Sequence, residues 1–298
     1  MKGLMKNLYF RIFLGGLLFS PFFSYDSYGE IFKVSNMINV QKILEKALER
    51  NVPSDVLVAF DVDLTLTFPT EKAAQMPNIL QHKKIYKNIM ENLTSQHQYV
   101  MLNLLAEASK HQLIEEKEIS FILNNLQTKG VKTIAFSACL TGPLANISRM
   151  EIWRYTTLKN LNLDFNKSFE HQTEIVFTEI PAFLNRHPVF YKGVLCASNP
   201  IGKATKGPVL NAFLNAMALS PKLIIMIDDT REHLDDIEAS LKIRDPTIKF
   251  IGIEYTKGRE LSYGPISEEQ FIAFWKNLET QAEQVIASHI SLTPHPIK

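Results

Sequence analysis

The sequence predicts an α/β fold: a parallel sheet flanked by helices, with a helical insertion after the first clear strand. Three observations carry that expectation. Residues 56–61, 131–137, 223–228 and 248–254 are apolar at nearly every position, as strands buried on both faces require. Helical spacings follow the first three runs, at residues 147–158 and 231–243 for example, and such alternation marks the α/β class. Residues from about 69 to 130 lack β-branched runs and show only helical spacing. The chain has 298 residues, 46% apolar and 21% charged, which excludes a disordered polymer, a collagen-like repeat and a small disulfide scaffold. It is long enough for one large domain, or a domain with a substantial insertion, without cross-links.

Taken in order, Lys2 and Lys6 precede an apolar run from Ile12 to Phe23 that leads to the small-x-small pattern Ser27-Tyr28-Gly29. Residues 1–29 therefore read as a secretory signal peptide, with a secreted or periplasmic location expected. The run is too short to span a bilayer, with Arg11 before it and Pro21 within it, so no stable membrane anchor is expected after cleavage. Cleavage after Gly29 would remove Lys2, Lys6, Arg11 and Asp26, leaving 29 basic and 30 acidic residues. A nearly neutral chain gives no electrostatic case for polymeric nucleic acid as a partner.

Val40, Ile43, Leu44, Ala47 and Leu48 recur at helical spacing and predict a helix before the strand at 56–61. Ile85, Ile89 and Leu93, then Ile119, Ile122, Leu123 and Leu126, predict helices within an insertion spanning 68–130. The α/β core is then 30–67 joined to 131–288. Ser267 and Gln270 form a capping box, after which Phe271, Phe274, Trp275, Leu278 and Val285 line one face of a long terminal helix. Residues 289–298 read as a flexible tail.

The chemistry gathers where strands end. Strand one runs into Asp61-Val62-Asp63-Leu64-Thr65, which sets two carboxylates and a threonine at the carboxyl edge of a parallel sheet, where ligands of such sheets bind. Alone, Asp61 and Asp63 read equally well as turn formers. Other strand ends add complementary groups: Ser137 closes one, and Asp228-Asp229 close another. Between these lies Gly202-Lys203-Ala204-Thr205-Lys206-Gly207, followed by a helical pattern. Packing alone does not call for this combination.

In order and wording these elements resemble the haloacid dehalogenase superfamily, whose motifs would be Asp61-x-Asp63-x-Thr65, Ser137, Lys206 and Asp228-Asp229. The resemblance runs from about Val40 to Glu254 and looks closest to a secreted bacterial branch. It implies a Rossmann-like sheet and a magnesium-dependent phosphatase acting on a small phosphorylated substrate. Asp61 would be the nucleophile that becomes an aspartyl phosphate, and Asp63 the acid that protonates the leaving oxygen and then deprotonates water. Magnesium would be held by the Asp61 carboxylate, the Asp63 backbone carbonyl and Asp228, with Asp229 binding through water or orienting its neighbours. Ser137 and Lys206 would take the remaining phosphoryl oxygens. Asp63 favours phosphoryl transfer, because the dehalogenases of the superfamily lack that second aspartate. The insertion falls where the superfamily places a cap, either a gate over the site or a rigid appendage.

Two details depart from the pattern. Lys203 and Lys206 both fit the lysine motif, and Lys206 matches the wording better. Ala138-Cys139 follow Ser137 where relatives often carry a basic residue, which puts a substrate contact in doubt. An alternative is a secreted binding or effector-like protein with the same fold and little turnover. Cys139 and Cys196 can pair or remain separate buried thiols, and the eight histidines show no zinc spacing. His233 reads as a helix-surface or capping residue, and Asp235 and Asp236 as supports of the metal loop or as a solvated face. His82, Lys83, Lys84 and Lys87 can meet a phosphorylated substrate, or line a solvated helix face.

Overall fold

Apolar strands need helices on both faces, and that requirement organises the protein. The computed structural model describes residues 29–198 and 206–290. The expected leader up to residue 28, Lys203 and residues 291–298 of the expected tail lie outside the described residues. The sheet contains β1 (Gly29–Val34), β2 (Val56–Phe60), β5 (Lys132–Ser137), β6 (Glu174–Val176), β7 (Val189–Tyr191), β8 (Val194–Cys196), β9 (Leu223–Asp228) and β10 (Lys249–Tyr255). A separate ribbon pairs β3 (Thr67–Pro69) with β4 (His111–Leu113).

The sheet order is β1-β10-β9-β2-β5-β8-β7-β6. The first six run parallel, and β7 and β6 are antiparallel at one edge. From β2 the chain passes to β5, goes on to the far edge at β6 and works back through β7 to β8, then crosses to add β9 and β10 on the other side of β2. This change of direction falls at the carboxyl ends of β2, β5 and β9, the place where open sheets bind ligands. Register aligns those ends, with Phe60 of β2 beside Ala135 of β5 and Ile227 of β9.

One face of the sheet buries α1 (Met37–Leu48), α5 (Glu116–Thr128) and part of α6 (Met150–Asn160). Asn36 caps α1 by accepting from the Asn39 amide at 2.9 Å. The other face buries α7 (Lys206–Ala216) and α8 (Arg231–Arg244). The four anticipated strands form within a residue or so of their expected bounds. Strand β1 was not anticipated. It begins at Gly29, the last residue of the expected leader, and pairs with β10 from Gly29 beside Phe250.

The insertion is more divided than its spacing suggested. Between β3 and β4 come α2 (Met76–Gln81), α3 (Lys83–Glu91) and α4 (Ser95–Ala108). Helix α5, within the expected insertion, instead packs on the sheet through Ile119, Ile122, Leu123 and Leu126. The terminal helix α10 (Glu268–Ile290) lies against α3 and α4. Phe271, Trp275 and Leu278 join Ile89, Tyr99 and Leu104 in a third apolar cluster. Trp275 is fully buried and donates Nε1–H to the Ala73 carbonyl at 3.0 Å. Among the described residues, no helix is long and apolar enough to cross a membrane.

Candidate active site

The loop after β2 is built to turn sharply while keeping its side chains at the sheet edge. The Asp61 amide donates to Ile227 O at 2.8 Å, which prolongs the pairing of β2 with β9. Leu64 then takes φ +64, a conformation uncommon for a leucine, and its amide donates to Thr67 O at 2.8 Å. The Leu66 and Thr67 amides both return to Val62 O. Gly258, in the short helix α9 (Lys257–Glu260), presses on this loop. A Cβ there would lie 2.0 Å from Leu64 O, so glycine is required by close approach.

Four of the expected residues converge at the edge. Lys206 is fully buried at the start of α7, and its Nζ donates to Asp61 Oδ1 and Asp228 Oδ2, each at 2.6 Å. Asp228 also accepts from the Thr230 amide at 2.9 Å and contacts His233 Nδ1 at 3.1 Å. Asp229 accepts from Arg259 Nε at 2.8 Å and from Thr230 Oγ1 at 3.1 Å. One carboxylate oxygen from each of Asp61, Asp228 and Asp229 lies within 4.8 Å of the others.

Burial sets the protonation balance. It pushes the Asp61 carboxyl well up; Lys206 opposes this, while Asp228, Asp229 and Asp63 add to it. Burial acts the same way on Asp228, but Lys206 and His233 overcome it and hold the group below the usual carboxylate range. Asp229 is pushed up to about 6 by burial and the neighbouring Asp228. Burial disfavours the Lys206 ammonium, yet its two carboxylates more than offset that and raise its pKa.

Asp63 points elsewhere. Both its oxygens accept from Arg154 of α6, Nη1 to Oδ1 and Nη2 to Oδ2, each at 2.9 Å. Arg154 is buried, whereas the Asp63 side chain remains 46% exposed. Desolvation raises the Asp63 carboxyl, and Arg154, with His111 and Lys206, more than reverses this and lowers its pKa. Arg154 Nε is buried with no hydrogen-bond partner among the described residues. Ser137, buried at the end of β5, accepts from the Cys139 amide at 3.2 Å. Thr65 is fully buried, and its Oγ1 has no partner among the described residues.

The surroundings sort the remaining candidates. His233 touches a site carboxylate, which a surface role had not anticipated. Asp236 accepts from the Gly207 amide at 2.8 Å and so steadies the helix start that carries Lys206, whereas Asp235 pairs with Arg231 in solvent. His82 contacts Ile266 O at 3.0 Å, and Lys87 pairs with Glu91. From the insertion, Tyr99 donates to Ala138 O at 2.8 Å, and Asn103 accepts from the Leu140 amide at 2.9 Å. These two bonds tie α4 to the loop after Ser137. Sequence reasoning missed Arg154, Arg259, Tyr99 and Asn103. A lone arginine on a helix carries no spacing signal, and a polar residue at a helix-packing position shows its partner only in three dimensions.

A relative from Rickettsia bellii (strain RML369-C) is 30% identical over 234 residues, covering 76% of this chain and 77% of the relative. One from Rickettsia felis (strain ATCC VR-1525 / URRWXCal2) is 29% identical over 231 residues, covering 76% of each. One from Rickettsia conorii (strain ATCC VR-613 / Malish 7) is 29% identical over 250 residues, covering 78% of this chain and 81% of the relative. No solved structure matches the chain. The family described as "Protein of unknown function (DUF2608)" matches residues 33–284, and the chain belongs to it.

Proposed function

We propose that this protein is a magnesium-dependent phosphatase that hydrolyses small phosphate monoesters through an aspartyl phosphate on Asp61, in the manner of the haloacid dehalogenase superfamily its motifs resemble. One observation carries the reading: Lys206 bridges Asp61 and Asp228 at 2.6 Å each, at the sheet edge that also bears Asp63. The donor set suits magnesium, because three clustered carboxylates are hard oxygen ligands. Asp61, Asp228 and Asp229, with the Asp63 backbone carbonyl, would hold it. When bound, the ion supplies positive charge that offsets the carboxylates and the anionic phosphoryl group.

The protein's own groups then divide the work. An Asp61 oxygen attacks phosphorus, and Lys206 fixes that carboxylate and meets the charge that develops on the phosphoryl oxygens. Ser137 Oγ accepts from the Cys139 amide, which leaves its own proton to donate to a phosphoryl oxygen. Asp63 protonates the leaving oxygen, then takes a proton from the water that hydrolyses the aspartyl phosphate. Its partly exposed side chain can reach substrate, and Arg154 holds it in place. A secreted or periplasmic location is part of this reading, supported by the leader-like first residues.

Arg154 also favours a second reading, a secreted binding or effector-like protein of the same fold with little turnover. Both Asp63 oxygens are already engaged, and the acid step requires one of them to take a proton. The deciding experiment is phosphate release by the full chain from an aryl phosphate and a panel of small phosphomonoesters, with magnesium or with chelator, beside Asp61→Asn. The proposal expects turnover that needs both magnesium and Asp61. A folded chain silent on every substrate would overturn it in favour of the second reading.

A further inference from the structure

We propose that Cys139 and Cys196 are a disulfide-forming site, which closes when the protein meets a disulfide oxidant and fastens the loop after Ser137 to the end of β8. They are the chain's two cysteines, both are free and buried, and their Sγ atoms lie 2.8 Å apart. The backbone holds them face to face. Ser137 of β5 pairs with Cys196 of β8, Ala197 N donates to Ser137 O at 2.9 Å, and Ser198 N donates to Cys139 O at 3.0 Å. Hydrogen-bonded rungs thus flank the thiols, so the closed bond requires only a small approach of two sulfurs, while the loop after Ser137 must open briefly for the buried Cys139 to meet the oxidant.

Other uses of the pair fit less well. A bound metal needs more ligands, and among the described residues no third metal-ligating group joins these thiols. The two thiols are also unequal. Burial opposes ionisation of Cys139, but its contact with Cys196 and the nearby Arg154 charge bring its pKa below the ordinary value. Burial and the Cys139 neighbour push Cys196 well up. Cys139 is accordingly the sulfur that attacks first.

The chemistry balances as thiol–disulfide exchange. The Cys139 thiolate attacks one sulfur of the oxidant's disulfide, breaks that bond and releases a thiolate. The Cys196 sulfur then attacks Cys139 of the mixed disulfide and expels the oxidant's second thiolate. The two protein protons pass to the released thiolates, so one oxidant disulfide becomes two thiols as one protein disulfide forms. The new bond closes a loop between positions 57 apart in sequence. That constrains the unfolded chain more than the folded one, so the oxidised protein is the more stable form. It also anchors Ala138 and Leu140, the backbone groups that Tyr99 and Asn103 hold from the insertion. This site does not depend on the proposed phosphatase activity.

The test uses the full wild-type chain. It is reduced, freed of reductant, equilibrated in graded mixtures of oxidised and reduced glutathione, unfolded in acid, alkylated with N-ethylmaleimide and weighed intact. The expected result is that both maleimide adducts disappear together, with a monomer lighter than the reduced chain by two hydrogens. A digest should yield one cross-linked pair of peptides containing Cys139 and Cys196, and the oxidised chain should unfold at higher urea. Two adducts at every glutathione ratio, glutathione retained on either thiol, or chains linked to one another would each overturn the proposal. So would equal urea midpoints for the oxidised and reduced chains.

Discussion

Lys206→Met removes the central ammonium while keeping most of its side-chain volume, so it isolates charge from packing. Lys206 is 0% exposed, and its Nζ lies 2.6 Å from oxygens of Asp61 and Asp228, whose side chains are 8% and 0% exposed. Deleting one partner of a buried pair costs about 3–5 kcal/mol, because the remaining charge loses its compensation. Two carboxylates lose it here, which places the expected destabilisation at about 5 kcal/mol, the upper end of that range. The pH dependence has a definite sign. Burial already raises the Asp61 carboxyl and Lys206 opposes that rise, so without Lys206 it titrates higher still, and such a group penalises folding until the pH falls through the folded pKa. The deficit is therefore largest at neutral pH and shrinks on acidification. Urea unfolding of both chains in chelator, at neutral and mildly acidic pH, measures it, and magnesium should restore part of the loss. Equal midpoints at both pH values, or a deficit that grows as pH falls, would refute the charge-bridge account.

Three further outcomes are expected. Arg154→Lys keeps the charge but loses the two-bonded fork on Asp63, so kcat should fall about tenfold or more with little change in KM. The same substitution should add almost nothing in an Asp63→Asn background, and additive losses in that double variant would remove Arg154 from its positioning role. Magnesium binding must displace the proton that Asp229 holds with a pKa of about 6. Calorimetric titration should show affinity falling by about tenfold or more per unit below that pH, since Asp61 also retains its proton more strongly than usual. A pH-independent affinity would exclude Asp229 from the ligand set. Trp275→Ala should cost about 3–5 kcal/mol by leaving a cavity between α10 and the insertion helices. A loss below about 1 kcal/mol in urea unfolding would show that this cluster contributes little.

The strands that carry the site were legible because burial on both faces makes them apolar at nearly every position. Strand β1, Gly29–Val34, was not: it is a partly exposed edge strand with Glu30 and Lys33 in it, and it adjoins a leader-like run. Strands β6 to β8 have three residues each, too short for a period to show. For α10 the apolar stripe announced a buried face but not its partner, because amphipathicity says that a face is covered and not by what. Asp61, Lys206, Asp228 and Asp229 were readable as strand-end and helix-start groups, and the structure gathers them at one edge, with Lys206 bonded to Asp61 and Asp228. The fork from Arg154 to Asp63 joins residues 91 apart through the approach of α6 to the sheet edge, which no local pattern encodes.

The central claim is that Asp61 carries the phosphoryl group. The most direct measurement is to mix the full chain with an aryl phosphate and magnesium, quench in acid within the first turnovers, and locate any added phosphate by peptide mass. The account predicts a single phosphoryl group on the peptide containing Asp61, absent from Asp61→Asn and from the chelated wild type. Steady turnover with phosphate on another residue, or with the Asp61 peptide unmodified even when Asp63→Asn slows the second step, would contradict it.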